Sequence, residues 1–423
     1  MKNFSIDFWR DFLKTNNDFT ETCVIKDAIS SEMLNELNLG IMEVLSNRLS
    51  MKDINNGFRI YIEGKEQDDD YLKKICETPP LNSDNIKSYT DKIFDKKFGF
   101  IINSGERHSD YISHNILKAV KPLIDLKGIP PLGIEITIFI GNYGWTPLGI
   151  HQDHRGENVI HFHLGPGGKK MYIWDEEKYK ELTNLKHNNT DIEPLLPHAK
   201  EFIFGTSDLY YMPWNKFHVG YSDELSVGIT LWFNNPSKYK YFNRIIESFV
   251  TQFVKKETEI IGNKYNLLEN VENSSKDIFD ILEVENEVIN SSVKDFMNFI
   301  TEEFNYNIIS NGGWQTIPLS MKDKIGYDVD NDYMKLENVK IKTDSLFKIL
   351  HKKKNDILFV YVRGSKFQMQ YFLDLADLLD LLNKNEIIDI NLYLKSEKIV
   401  IPKEAILYFL ALIYDKRGFE IIK

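Results

Sequence analysis

The chain has 423 residues, of which 42% are apolar and 27% charged, with a formal net charge of −11. That length exceeds what one hydrophobic core serves, so two or three packed units are expected, and the composition excludes a disordered or fibrous protein. The negative balance disfavours non-specific attraction to phosphate backbones, so nucleic acid is not an expected partner.

Cys23 and Cys76 lie far apart without a paired spacing, which predicts neither a disulfide framework nor a zinc finger and fits a reducing compartment. The opening MKNFSIDFWRDFLKTNND lacks the apolar stretch of a signal peptide, and no run of about 18 apolar residues suits a membrane helix. A cytoplasmic protein with no membrane partner is the expectation.

Residues 1–130 read as a mixed helical lead-in, with SSEMLNELNLGIMEVLSNRL opening after a cap at Ser30 or Ser31 and a solvated loop around Gln67 to Asp70. From Gly133 the texture changes to short β-branched and aromatic runs: IEITIFIG, NVIHFHLG, KKMYIW, EFIFG, DLYYMP and SVGITLWF. Strands at this spacing predict a sandwich or small barrel over residues 131–236. Gly165, Pro166, Gly167 and Gly168 lack the Lys-Ser/Thr ending of a phosphate loop, so a hairpin turn is the reading there.

The polar stretch between Asp175 and Lys200 has loop composition, with room for a short helix over the barrel mouth. After Pro236 the period turns helical, with Phe242, Ile245, Ile246, Phe249 and Phe253 along one face. Residues 237–305 are expected as a helical connector or a segment through which a homodimer forms, with two or three helices after 257. Residues 306–423 alternate β runs (ILFVYV, INLYL) with helices over FLDLADLLDLLNK and, after Pro402, KEAILYFLALIYDKRG. The Leu residues at 373–382 read as helix core. The fold class is α+β.

The sharpest local signal is His151-Gln152-Asp153. In a strand, residues two apart project from one face, so the imidazole and the carboxylate would point together into the barrel. A third ligand is expected from a distant strand, and His218, between DLYYMPWNKF and SVGITLWF, offers it. Two neutral imidazoles and one carboxylate suit Fe(II), because they leave adjacent positions for a chelating 2-oxo acid and O2.

The flanks of these residues carry a resemblance. Thr146-Pro147 precedes the His-x-Asp, Asn158 follows it, and Gly167-Gly168-Lys169 leads the next strand; further on come Asp208, Tyr211, Pro213 and His218. In this order the motifs resemble the JmjC class of cupin-fold oxygenases, including the factor-inhibiting asparaginyl hydroxylase and the ribosomal-protein hydroxylases. The resemblance implies a double-stranded β-helix (cupin/jelly-roll) core, a winged-helix-like C-terminal module, and an Fe(II)- and 2-oxoglutarate-dependent hydroxylase using O2.

It also implies metal ligation by His151, Asp153 and His218, and a co-substrate site from Lys169 with Thr146, Tyr143 and Asn158. Thr146 stands two places further from the His than in the asparaginyl hydroxylase pattern. Lys170 rivals Lys169, because neighbouring strand residues face opposite ways. His161 and His163 resemble the start of the other cupin metal motif, but LGPGGKK stands where its Glu belongs, so barrel-lining or surface histidines are the plainer reading.

The substrate class implied is a protein or peptide side chain, with demethylation or desaturation as other outcomes of the same chemistry. Rival functions are a hydroxylase of free amino acids or metabolites, a non-catalytic cupin-fold regulator that senses a ligand, and a structural metal-binding protein. The regulator would need a DNA-binding module, yet residues 359–423 interleave Lys with Asp and Glu and form no basic stripe.

Overall fold

The computed structural model of the chain describes residues 4–54, 57–253, 290–397 and 399–422, and these mix helices with antiparallel sheets. The first 130 residues are less helical than their sequence suggests. They contribute β1 (Cys23–Ile25), β2 (Phe58–Ile62), β3 (Lys65–Glu66) and β4 (Phe98–Asn103). FRIYI and FGFIIN are short runs without clean alternation, and their strand character comes from joining the edge of a larger sheet.

The following strands are β5 (Ile134–Gly141), β6 (Gly144–Trp145), β7 (Glu157–Pro166), β8 (Lys169–Trp174), β9 (Lys200–Phe204), β10 (Leu209–Met212), β11 (Phe217–Ser222) and β12 (Ser226–Asn234). They form an eight-stranded sheet in the order β1-β10-β7-β12-β5-β4-β2-β3 and a four-stranded sheet in the order β6-β11-β8-β9. The Gly-Pro-Gly-Gly stretch is therefore no hairpin. It carries the chain from β7 in the large sheet to β8 in the small one, and Gly167 N–H is tied to Leu225 O at 2.8 Å.

The strand period of two sorts the large sheet into an apolar face and a cavity face. Ile136, Ile138 and Ile140 of β5, Ile160 and Phe162 of β7, and Ile229 and Leu231 of β12 join one buried cluster with Trp9, Phe12, Leu37, Ile41, Ile116 and Val120. These last six come from helices Ile6–Thr15, Ser31–Ser50 and Asp110–Lys127. Ser30 caps the middle helix by accepting from Met33 N–H at 3.2 Å. Full burial of each such aliphatic chain contributes about 1.5–3 kcal/mol, which fixes the helices on this face and leaves the other free to carry polar groups.

Helix Lys238–Phe253 packs on helix Val293–Ser310 through Ile245, Ile300 and Phe304, while Phe242 is half exposed. The expected helices between 257 and 289 lie outside the described residues.

A second core gathers Leu336, Ile341, Leu358, Val360, Leu375, Leu378 and Phe409 among others. It includes β13 (Lys340–Lys342), β14 (Leu350–Lys354), β15 (Ile357–Val362), β16 (Ser365–Gln370), β17 (Ile388–Asp389) and β18 (Glu420–Ile422). INLYL was expected as a strand but is the helix Ile390–Leu394, because Asp389 caps it by accepting from Leu392 N–H at 3.1 Å. Among the described residues no helix is long and apolar enough to cross a membrane.

Candidate metal centre

Between β6 and β7 the chain crosses from the small sheet to the large one. Thr146 ties the crossing to β11 through both N–H and O of Gly220, and His151 and His218 exchange backbone hydrogen bonds at 3.1 and 2.8 Å. The strand expected around His151 is reduced to this one bridge, with Asp153 in the loop beyond it. Gly149, at φ +67, turns the chain just before the bridge. Gly156, at φ +88, closes the loop so tightly that an added Cβ would lie 1.6 Å from Asn235 O.

This path brings one ligand atom from each of His151, Asp153 and His218 within 4.8 Å of one another. His151 Nε2 lies 4.0 Å from Asp153 Oδ1, and His218 Nε2 lies 4.0 Å from Oδ2. Each imidazole donates its Nδ1–H to a backbone carbonyl, His151 to Gly149 O at 2.9 Å and His218 to Lys216 O at 3.1 Å. Those bonds leave both Nε2 lone pairs facing the carboxylate, the arrangement by which outer groups orient metal-binding histidines.

Burial and the neighbouring His218 hold His151 down at about 4, and burial holds His218 at about 4. Both rings are neutral donors at physiological pH. Burial pushes the Asp153 carboxyl up to about 7, and among the described residues its Oδ2 has no hydrogen-bond partner. Two neutral nitrogens beside a desolvated carboxylate make a site whose charge a divalent cation balances.

The three residues stand in a cavity of about 820 Å³ between the two sheets. Its wall on the large sheet is made by alternate residues: Glu135, Thr137 and Phe139 of β5, Val159 and His161 of β7, Thr230 and Trp232 of β12. Lys169 and Met171 of β8 face them, and His187 and Asn188 of the 175–200 insert lie over the cavity.

The β8 register turns Lys169 inward, 8% exposed, while Lys170 points out to Glu201 at 3.2 Å. Lys169 Nζ sits 5.2 Å from the Phe139 ring centre and 5.7 Å from that of Tyr143. Among the described residues no carboxylate pairs with it. Thr146 lines the same end of the cavity, so Lys169, Tyr143 and Thr146 come together.

Asn158 does not join them. It occupies the alternate face of β7 from Val159 and His161, and its Oδ1 accepts from Trp214 N–H at 3.3 Å. The motif spacing located Asn158 in the sequence, but the strand register decides where its side chain goes.

His163 is held by Gly167 O at 2.8 Å, and neither it nor His161 belongs to the cluster of potential metal ligands. Glu135, Thr137 and Tyr210 on the cavity wall were not singled out from the sequence, and Trp232, which reads there as core or rim packing, lines the wall with them. Odd positions in β5 and even positions in β10 and β12 are the signal that finds them, once the facing direction of one strand is known.

No family model matches the chain, and no curated protein matches it. Among solved structures, that of E. coli ycfD is 15% identical, with 98% of each chain covered and a TM-score of 0.47. The structure of YcfD, a ribosomal oxygenase from Escherichia coli, in complex with cobalt and 2-oxoglutarate has the same identity and coverage and a TM-score of 0.46.

Proposed function

We propose that this chain is an Fe(II)- and 2-oxoglutarate-dependent oxygenase that hydroxylates a protein or peptide side chain. The observation that carries the reading is the meeting of His151, Asp153 and His218 in a cavity that also holds Lys169 without a carboxylate partner. One end is built for a divalent cation, the other for an anion.

In this reading β5 to β12, in sheets β10-β7-β12-β5 and β6-β11-β8-β9, form a double-stranded β-helix. Residues 306–423 are its winged-helix-like module, and 237–305 a connector or the segment through which a homodimer forms. The cavity volume falls at the upper end of small-molecule sites, with room for a co-substrate and an inserted side chain.

Iron would be held by the two Nε2 atoms and the Asp153 carboxylate, a donor set that leaves neighbouring positions open for a chelating 2-oxo acid and O2. Bound there, it would supply oxidation by O2 coupled to conversion of 2-oxoglutarate to succinate and CO2. Gly149 O and Lys216 O hold the imidazoles in the ligating tautomer. The Lys169 ammonium would pair with the distal carboxylate of 2-oxoglutarate, beside Tyr143 and Thr146. Met171 and Phe204, both buried, keep water from that pair and so strengthen it.

Anaerobic titration with Fe(II) and 2-oxoglutarate tests the assignment. A visible charge-transfer band is expected in the wild type and not in His151→Ala, and a wild type without the band would overturn the cofactor reading. Succinate formation stimulated by peptides supports the substrate class, whereas turnover with small metabolites alone overturns it.

A further inference from the structure

Outside the metal cluster, His161 and Tyr210 stand as neighbours on the cavity wall, each with a polar atom that finds no partner among the described residues. His161 is 4% exposed; its Nδ1 lies 2.8 Å from Thr230 Oγ1, and its Nε2 has no hydrogen-bond partner. Tyr210 stands opposite it on β10, 2% exposed, with an unpartnered hydroxyl and its ring stacked on Phe204 at 4.8 Å. Buried donors without partners are rare and costly, and two of them side by side in a cavity point to a polar ligand.

The backbone is arranged to admit the imidazole. Gly228 lies against it on β12, where an added Cβ would sit 2.2 Å from His161 Cε1 and 2.4 Å from Nε2. Burial first, then Lys169 and His163, keep His161 well below the ordinary imidazole range, so the ring is neutral. The Nδ1···Thr230 Oγ1 contact fits either tautomer; with the hydroxyl donating to Nδ1, the neutral ring carries its proton on Nε2 and offers it to the cavity. Burial, then Asp153, keep the Tyr210 hydroxyl protonated.

We propose that His161 Nε2–H joins Lys169 in holding the distal carboxylate of the 2-oxo acid, and that the Tyr210 hydroxyl donates to the same ligand. This rests on the oxygenase reading above and goes beyond it by assigning His161 and Tyr210 as positioning residues. One cation and two neutral donors then meet the dianion. A second cation at His161 would repel Lys169 whenever the cavity is empty, which the neutral ring avoids.

The test is calorimetric titration of the Mn(II)-loaded full chain under anaerobic conditions, with 2-oxoglutarate and with pyruvate, a 2-oxo acid that lacks the distal carboxylate. His161→Ala is expected to bind 2-oxoglutarate about 10- to 100-fold more weakly, the range for losing one hydrogen bond to a charged group, with pyruvate and Mn(II) affinities unchanged. His161→Gln, which keeps a donor near the Nε2 position, should recover part of the loss. Gly228→Ala, which displaces the ring, should resemble His161→Ala.

Wild-type affinity for 2-oxoglutarate in His161→Ala overturns the proposal. Equal weakening of pyruvate also overturns it, since the residue would then act on the whole pocket. A wild type that binds Mn(II) but no 2-oxoglutarate overturns the oxygenase reading itself, a different outcome from either.

Discussion

Lys169 and Lys170 are adjacent in sequence and opposite in surroundings. Lys169 is buried between aromatic rings in the cavity, and Lys170 is a half-exposed partner of Glu201. An exposed ion pair contributes about 0–1 kcal/mol, whereas losing one partner of a buried pair costs about 3–5 kcal/mol. Lys169→Ala is therefore expected to weaken 2-oxoglutarate binding to the Mn(II)-loaded protein about 100-fold or more, and Lys170→Ala to leave it at the wild-type value. Calorimetric titration decides; the reverse pattern would show that the register of β8 is misread. At this scale the sequence brought forward three side chains that meet in the cavity, His151, Asp153 and His218. It was uninformative for Asn158 and His161, whose roles hang on which way β7 faces, a one-residue question that motif spacing does not answer.

Elements were legible where their pattern is local. The helix behind Ser30, the Leu-rich helix Leu373–Leu382 and the β-branched runs of β5 and β12 declare themselves by period. β2 and β4 do not, since each is stabilised by pairing across the sheet rather than by its own composition. Helix Val293–Ser310 depends on a tertiary device as well. Its Glu303, 2% exposed, accepts from Lys352 Nζ at 2.7 Å, Lys366 Nζ at 2.6 Å and Tyr361 Oη at 2.7 Å. Burial alone would raise this carboxyl, but the three donors outweigh it and hold it below the ordinary carboxylate range. A depressed acid contributes stability that is present above its unfolded value and lost as pH falls through the folded one. Glu303→Gln is accordingly expected to lower stability by about 2 kcal/mol at pH 7, because Lys352 and Lys366 each lose a charged hydrogen-bond partner, although Lys352 keeps Glu302 at 3.1 Å. Chemical denaturation at a series of pH values should find the gap between the two proteins closing below about pH 4. A gap independent of pH would mean that Glu303 acts by shape rather than by charge.

For the whole molecule the question is whether the cavity-bearing core and the C-terminal core unfold as one. Their junction is more than surface charge. Trp314 and Phe347 are buried in the first core, and Trp314 Nε1 donates to Ser113 O at 3.3 Å. Over Phe347, at 3.5 Å from its ring centre, lies the guanidinium of Arg363, itself 6% exposed and donating from Nε to Asn311 Oδ1 at 3.1 Å. Burial lowers Arg363 to about 10, so it stays charged at neutral pH and the ring and amide together replace the water it gave up. A desolvated cation over an aromatic face is worth about 2 kcal/mol or more, in addition to the hydrogen bond. The two cores are therefore expected to melt in one transition in the wild type. Mn(II) with 2-oxoglutarate at about 100 times its dissociation constant should raise the stability of that whole unit by about 2.7 kcal/mol, although the ligand touches only one core. Arg363→Met keeps the volume and removes both interactions. Calorimetry of this variant should resolve two transitions, of which only the one from the cavity-bearing core moves with ligand. A single ligand-shifted transition in Arg363→Met would mean that the packing of Trp314 and Phe347 couples the cores without the buried cation.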